Sequence, residues 1–396
     1  MFNVLAIHTI KGGKATNTQT LQVEYHGAIW AGTGYAEAAR NAVLALHKAG
    51  IKVKADPTGF SHSTVSVHPG KISVKRHVAN PALDFPHSMK ELITELRYAH
   101  VAENAPLIVH APSTVYGNYI GGMRKVIGYT AWETARMPAH WVDGCNLVDE
   151  VWIPCRHNLE ALRESGVTKP IYIVPHAIDT ERFTPPNIRL NGTYTFISVF
   201  RWGLRKGWPE LMAAYERAFT SSDPVILRIL TNFRTEEHRA EAKQMAEHFN
   251  QPGKPRLEIL PLEYVPYNFM PALYGNADAF VLPSRGEGFC MPCAEAMSCG
   301  LPAIVTDCTA FMDYVDEDNG YLVMCRTESA EDSTDPDRDA TTWNVAYVDD
   351  LACRMRQAYE DREGRLAKGK EARETIKRLF SMETVARTMQ SRISKQ

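Results

Sequence analysis

Short apolar runs alternate with stretches of helical periodicity along almost the whole chain. Buried strands of a parallel sheet read as continuous apolar segments, so this pattern predicts an α/β architecture. In the first half, strands are expected at 21–25, 51–55, 106–110, 126–129, 150–153 and 170–174. Between the first two, 27–34 (GAIWAGTG) reads as a loop. The helix at 35–49, apolar near i, i+3, i+4 and i+7, is stopped by Gly50. After Val174 the sequence PHAID leads into FTPP and a polar run at 187–191, which reads as a linker. The boundary is placed there, dividing a domain of residues 1–180 from one of 181–378, with 379–396 as a terminal helix.

The second half restarts the pattern with a strand at 193–200, the loop RWGLRKGW and a helix at 209–219. Further strands are expected at 225–230, 257–260, 279–282, 303–306 and 321–323, with a helix from Glu295 that stops at Gly300. The acidic segment 326–342 reads as a solvated, mobile loop, and everything from Trp343 onward as helix.

Composition narrows the class. A chain of 396 residues, 44% hydrophobic and 23% charged, has enough apolar surface for two cores. With 44 basic and 46 acidic residues, no global field draws it to nucleic acid or anionic lipid. The last segment from Leu351 is more basic than acidic and reads as a solvated helical face. Eight cysteines without a secretory leader point to reduced thiols in a cytoplasmic protein, and no apolar stretch is long enough to span a membrane.

Four segments carry chemistry. The first is SRGEGFCMPCAEAMSCGLP, Ser284 to Pro302, where a strand ends, a glycine loop turns and a helix begins. Ligands of open α/β sheets bind there, and the loop amides and helix start favour an anion. Glu287 and Glu295 frame the loop, and carboxylates suit sugar hydroxyls. The second is Arg201 to Gly207 (RWGLRKG), whose cations follow a strand end and suit a phosphate. Arg205 reads as a surface residue. The third is Gly32-Thr33-Gly34, either a plain tight turn or a close backbone approach to a ligand. The fourth is His110 at the end of PLIVH, either a satisfied core histidine or a group facing the cleft.

The run E-G-F-x-x-P-x-x-E-A-M-x-x-G-x-P, with its two glutamates eight positions apart, resembles the signature of retaining GT-B glycosyltransferases of the GT4 type, the glycosyl transferases group 1. The stretch LYGNAD before it, and SGV followed by VPHAID near the boundary, resemble further segments of that family, with Ala177 in place of the usual glycine. The resemblance runs from about Leu21 to the C-terminus. It implies two facing Rossmann-like domains with a cleft between them, and a last helix, near 381–393, that crosses back to the first domain. It implies transfer of a hexose, with retention, from a nucleotide diphosphate sugar to a hydroxyl, with UDP-sugars such as UDP-glucose the favoured donors and GDP and ADP donors also occurring. By the same resemblance, Arg201 and Lys206 bind the donor diphosphate, Glu287 holds the transferred sugar, Gly288 and Phe289 present loop amides, and Glu295 binds the ribose. Gly32 and Gly34 approach the phosphates, His110 touches the sugar, and Glu133 matches an acidic position on the acceptor side. His176 is read as structural.

No cofactor and no metal are expected. Cys290, Cys293, Cys299 and Cys308 lie inside or just beyond the signature, which argues against zinc, and the DPDRD run lacks the glycine and the closing glutamate of a calcium loop. The acceptor is not legible: a glycan, a lipid-linked sugar, a small molecule and a modified DNA base all remain, nucleic acid being disfavoured by the balanced charge. The alternative reading is a non-catalytic or epimerase-type nucleotide-sugar-binding protein of the same fold.

Overall fold

The computed structural model describes residues 20–56, 64–68, 71–75, 85–186, 192–262, 265–330 and 342–394. The N-terminal residues 1–19, the polar run 187–191 and most of the acidic segment, 331–341, lie outside them.

The first domain contains β1 (Gln22–Gly27), α1 (Gly34–Lys48), β2 (Lys52–Asp56), β3 (Thr64–His68), β4 (Lys71–Lys75), α2 (His87–Arg97), β5 (Leu107–His110), β6 (Val126–Tyr129), α3 (Ala139–Leu147), β7 (Glu150–Ile153), α4 (Arg156–Glu164) and β8 (Ile171–Ile173). Six of these strands form a parallel sheet in the order β2-β1-β5-β6-β7-β8, while β3 and β4 pair as a separate antiparallel hairpin that the apolar pattern does not announce. Strands β5, β6 and β7 are buried at every position, which is why they read as uninterrupted apolar runs.

The second domain contains β9 (Tyr194–Arg201), α5 (Trp208–Ala218), β10 (Val225–Asn232), α6 (Glu236–Phe249), β11 (Arg256–Pro261), α7 (Met270–Gly275), β12 (Ala279–Leu282), α8 (Met291–Ser298), β13 (Ala303–Thr306) and β14 (Gly320–Val323). Its sheet is also six-stranded and parallel, in the order β11-β10-β9-β12-β13-β14. Helix α8 begins at Met291 rather than at Glu295. Pro292 suits a first helical turn, and Cys290 before it takes a left-handed conformation with φ 69°.

The expectation of a loop over 326–342 is corrected at its two ends, and that of helix from Trp343 at its start, while 331–341 lie outside the described residues. Strands β15 (Cys325–Ser329) and β16 (Thr342–Ala346) form an antiparallel hairpin between β14 and α9 (Val348–Glu360). Trp343 and Val345 alternate into the domain and are buried, whereas β15 is polar and largely exposed. Tertiary contact of one strand therefore decides the structure, and composition does not show it.

Helix α10 (Arg362–Phe380) packs on α8 and α9, and the chain then turns at Ser381, whose hydroxyl caps α11 (Met382–Ile393). Helix α11 packs on α1, and its Val385, Ala386, Met389 and Ile393 complete the core of the first domain. Arg392 fixes it there, 3.1 Å from Glu150 and stacked over the ring of Tyr172. The interdomain segment is tied to both domains: the Ile178 N–H donates to the carbonyl of Phe380 at the end of α10 at 2.8 Å, and Asn41 of α1 donates to the Ala177 carbonyl at 2.8 Å.

Candidate functional site

Each sheet changes direction once. In the second domain the neighbours of β9 are β10 on one side and β12 on the other, so the loops leaving β9 and β12 diverge and open a crevice. In the first domain the same happens between β1 and β5. The two crevices face each other closely. A Cβ at Gly286 would lie 2.3 Å from the Glu133 carbonyl, and one at Gly288 would lie 3.0 Å from Ala131. The Cys155 thiol donates to the Gly288 carbonyl at 3.1 Å. Glycine is required at 286 and 288 because the first domain occupies the space a side chain would take.

The loop after β12 carries Glu287, only 5% exposed. Ser284 donates to its Oε1 at 2.7 Å, Lys206 from the β9 loop donates to the same oxygen, and Arg205 lies 3.5 Å from Oε2. The Glu287 N–H is held by the Thr309 hydroxyl at 3.1 Å. Thr309 is itself left-handed, with φ 52°, an uncommon conformation for a β-branched residue. Burial opposes the charge on Glu287, but Lys206 and Arg205 outweigh it and hold the carboxyl below its ordinary value. Burial and the neighbouring Arg205 push Lys206 down.

Arg205 is not the surface residue the sequence suggests. Its side chain is 14% exposed and spans the cleft, 3.5 Å from Glu287 and 3.4 Å from Glu133 of the first domain. The two acids flanking it offset the cost of burying the guanidinium. No local pattern reveals this, because its partners are 72 and 82 positions away in the chain. Arg201, by contrast, ends β9 with an exposed side chain.

Glu295 sits in α8 with its Oε2 accepting from the Tyr274 hydroxyl at 3.1 Å. Beside it is a seam that sequence reading missed. Glu37 of α1 binds Arg40 at 2.5 Å, Arg182 of the interdomain segment at 3.0 Å and the Tyr267 hydroxyl at 3.0 Å. Arg40 donates in turn to the carbonyls of Ile29 and Ala31 at 2.5 and 3.0 Å, fixing the loop after β1. The i, i+3 spacing of Glu37 and Arg40 was the available signal. Burial, and then the charge of Glu37, raise the Glu295 carboxyl above its ordinary 4.5. The folded state therefore holds a proton that the unfolded chain releases, and stability is lost as pH rises from that ordinary value through the raised one. The unfolding free energy of the wild type, measured in urea, is expected to fall relative to that of Glu295→Gln over this range, by at most about 1.4 kcal/mol per pH unit. Parallel curves for the two proteins would contradict the shift.

His110 ends β5 and is buried, its Nδ1 2.6 Å from the Tyr25 hydroxyl and its ring stacked on Tyr129 at 4.1 Å. Its Nε2 is buried without a hydrogen-bond partner among the described residues. Burial and then His176 lower its pKa, so it is a neutral imidazole. His176 links the two domains, 5.3 Å from the His110 ring and 5.0 Å from that of Phe289. Phe289 is buried against Phe380 and Tyr314, so its side chain is packing. Gly32, in the loop that leads into α1, and Gly34, the first residue of that helix, are exposed on either side of its cap, Thr33. Cys290, Cys293, Cys299 and Cys308 are buried free thiols, and among the described residues no group of three or more His, Cys, Asp or Glu is placed to hold a metal ion. Nor is any described helix long and apolar enough to cross a membrane.

The site thus combines a buried acid gripped by two cations, a second buried acid, a neutral imidazole opposite them, and close-packed glycine loops. Residues 180–335 match the family described as "Glycosyl transferases group 1". Over 165 residues the chain is 27% identical to the lipopolysaccharide core biosynthesis mannosyltransferase LpsB of Rhizobium meliloti, covering 39% of this chain and 46% of that one. It is 26% identical over 163 residues to the GDP-mannose:cellobiosyl-diphosphopolyprenol alpha-mannosyltransferase of Xanthomonas campestris, 41% of each. The matches thus span less than half of these curated relatives. Among solved structures, the sucrose-phosphate synthase of Thermosynechococcus elongatus superposes with a TM-score of 0.67 at 16% identity, covering 95% of this chain and 98% of that one. Anabaena HepE in complex with UDP and glucose does so with a TM-score of 0.67 at 12% identity, over 95% and 100%.

Proposed function

We propose a function for a chain that has the GT-B fold and whose residues 180–335 belong to the glycosyl transferases group 1: transfer of a hexose from a nucleotide diphosphate sugar to a hydroxyl acceptor. The carrying observation is the meeting of Lys206, Arg205 and Glu287 at the point where the second sheet changes direction, opposite the matching point of the first.

In this reading, the bond between the sugar's anomeric carbon and the diphosphate oxygen breaks as negative charge develops on the leaving group. Lys206 and Arg201 stabilise that charge, with the Gly288 and Phe289 amides and the glycine loop around Gly32 and Gly34 lining the phosphate path. Glu287 accepts from hydroxyls of the transferred hexose, Glu295 from the ribose, and His110 turns its Nε2 toward the sugar. The acceptor oxygen bonds to the anomeric carbon on the face the diphosphate leaves, and its proton passes to the departing phosphate oxygen, so configuration is retained and no protein nucleophile is needed. Similarity to two mannosyltransferases, one of them GDP-mannose-dependent by name, favours GDP-mannose as donor over the uridine sugars the sequence alone suggests.

The test is release of free nucleoside diphosphate from GDP-mannose, UDP-glucose, UDP-N-acetylglucosamine and ADP-glucose, without acceptor. One donor is expected to be hydrolysed slowly, and Glu287→Ala to slow that release at least about 100-fold while the fold persists. Binding of a nucleotide sugar with no turnover would instead support a binding protein, and near-normal turnover by Glu287→Ala would overturn the assignment.

A further inference from the structure

A second cavity opens beside this centre, bounded on one side by the first domain and on the other by the β15–β16 hairpin. Its volume is about 280 Å³, near the lower end of the roughly 300–1,000 Å³ typical of small-molecule sites, which suits one ring-sized group. Its inner end reaches the reaction centre through two residues. Glu133 lines it and is joined by Arg205 to Glu287, and Thr309 lines it while holding the Glu287 N–H.

The lining defines what fits. On the hairpin, Thr327 and Asn344 are cross-strand partners, and Thr342, two residues before Asn344, shares their face. All three front the cavity, and the hairpin is anchored beside the signature loop by the Asn344 N–H donating to the Arg285 carbonyl at 3.0 Å. Across from them is His157, whose Nε2 is buried without a hydrogen-bond partner among the described residues. Burial pushes that imidazole's pKa down, so the wall carries it as a neutral group. The two charged side chains in the wall already have partners: Arg285 binds Glu210 at 2.8 Å, and Glu133 faces Arg205 at 3.4 Å. Beside them the wall offers threonine hydroxyls, one amide, one neutral imidazole, the Cys308 thiol and the Arg285 Nε–H, which has no hydrogen-bond partner among the described residues, a set that matches the hydroxyls of an uncharged ring.

We propose that this cavity is the acceptor subsite, that it takes one neutral, hydroxyl-rich ring such as the terminal sugar of an acceptor, and that the β15–β16 hairpin makes the donor domain a determinant of acceptor choice. The inference rests on the hexosyltransferase reading above. It assigns the hairpin a function independent of donor binding, because none of the donor-site residues lies on it.

Saturation-transfer NMR with methyl α-mannoside, methyl β-glucoside and myo-inositol tests it on the full chain, beside calorimetry with GDP and UDP. At least one ring compound is expected to bind the wild type. Asn344→Ala and Thr327→Lys, the latter an exposed strand position that fills the mouth without disturbing the core, are each expected to weaken that binding at least tenfold while nucleotide affinity stays unchanged. Equal ring binding by wild type and both variants would overturn the assignment, as would the absence of ring binding in a protein that binds nucleotide. Binding of an oligodeoxynucleotide with a hydroxymethylated base in place of every ring compound would also overturn it. Absence of nucleotide binding by the wild type would instead remove the hexosyltransferase reading beneath it.

Discussion

Lys206→Ala is expected to lower kcat/KM for the preferred donor by roughly 10³-fold, about 4 kcal/mol, with most of the loss in kcat. The ammonium is held in place by Glu287 and shielded from water, so its field acts on the leaving diphosphate without reorganising during the reaction. The fold should survive, because Glu287 keeps the Ser284 hydroxyl and Arg205 as partners. Steady-state release of nucleoside diphosphate checks the effect, with Lys206→Arg as comparison. A loss smaller than tenfold would remove Lys206 from the chemistry.

Gly207→Val is expected to be the most damaging single change to the fold near the site, at 4 kcal/mol or more by order of magnitude, because a strained backbone and a buried clash add. Gly207 has φ 66°, and a Cβ there would lie 1.9 Å from the Pro283 carbonyl. It starts α5 and holds the β9 loop against the β12 loop, so moving it separates Lys206 from Glu287. Guanidinium unfolding checks the stability. A loss below about 1 kcal/mol would mean the two loops adjust independently.

Sheet strands and the acids of the site were legible because they obey local rules. The runs at 126–129 and 279–282 are buried on both faces and so read as apolar without a break. Glu287 and Lys206 stand in loops that follow strand ends, and Glu295 in the helix just after one of them, where ligands of such sheets bind. What stayed hidden depends on partners distant in sequence. Arg205 reads as surface because its acidic partners are far away in sequence, yet Glu133 and Glu287 enclose it. The hairpin escaped for a related reason: among its described residues Trp343, Val345 and Ala346 are the buried apolar ones, too few to outweigh the acidic run beside them. Glu37 and Arg182 likewise acquire meaning only when the two domains meet. The second sheet alone could be drawn from periodicity, but the cleft required both.

The terminal helix has a consequence for synthesis. Val385, Met389 and Ile393 fill a core whose other members are made much earlier, so the first domain cannot finish its packing until residues 382–393 have left the ribosome. It must wait, with an apolar groove along α1 open to solvent and to chaperones, until the C-terminal domain has been translated and folded beside it.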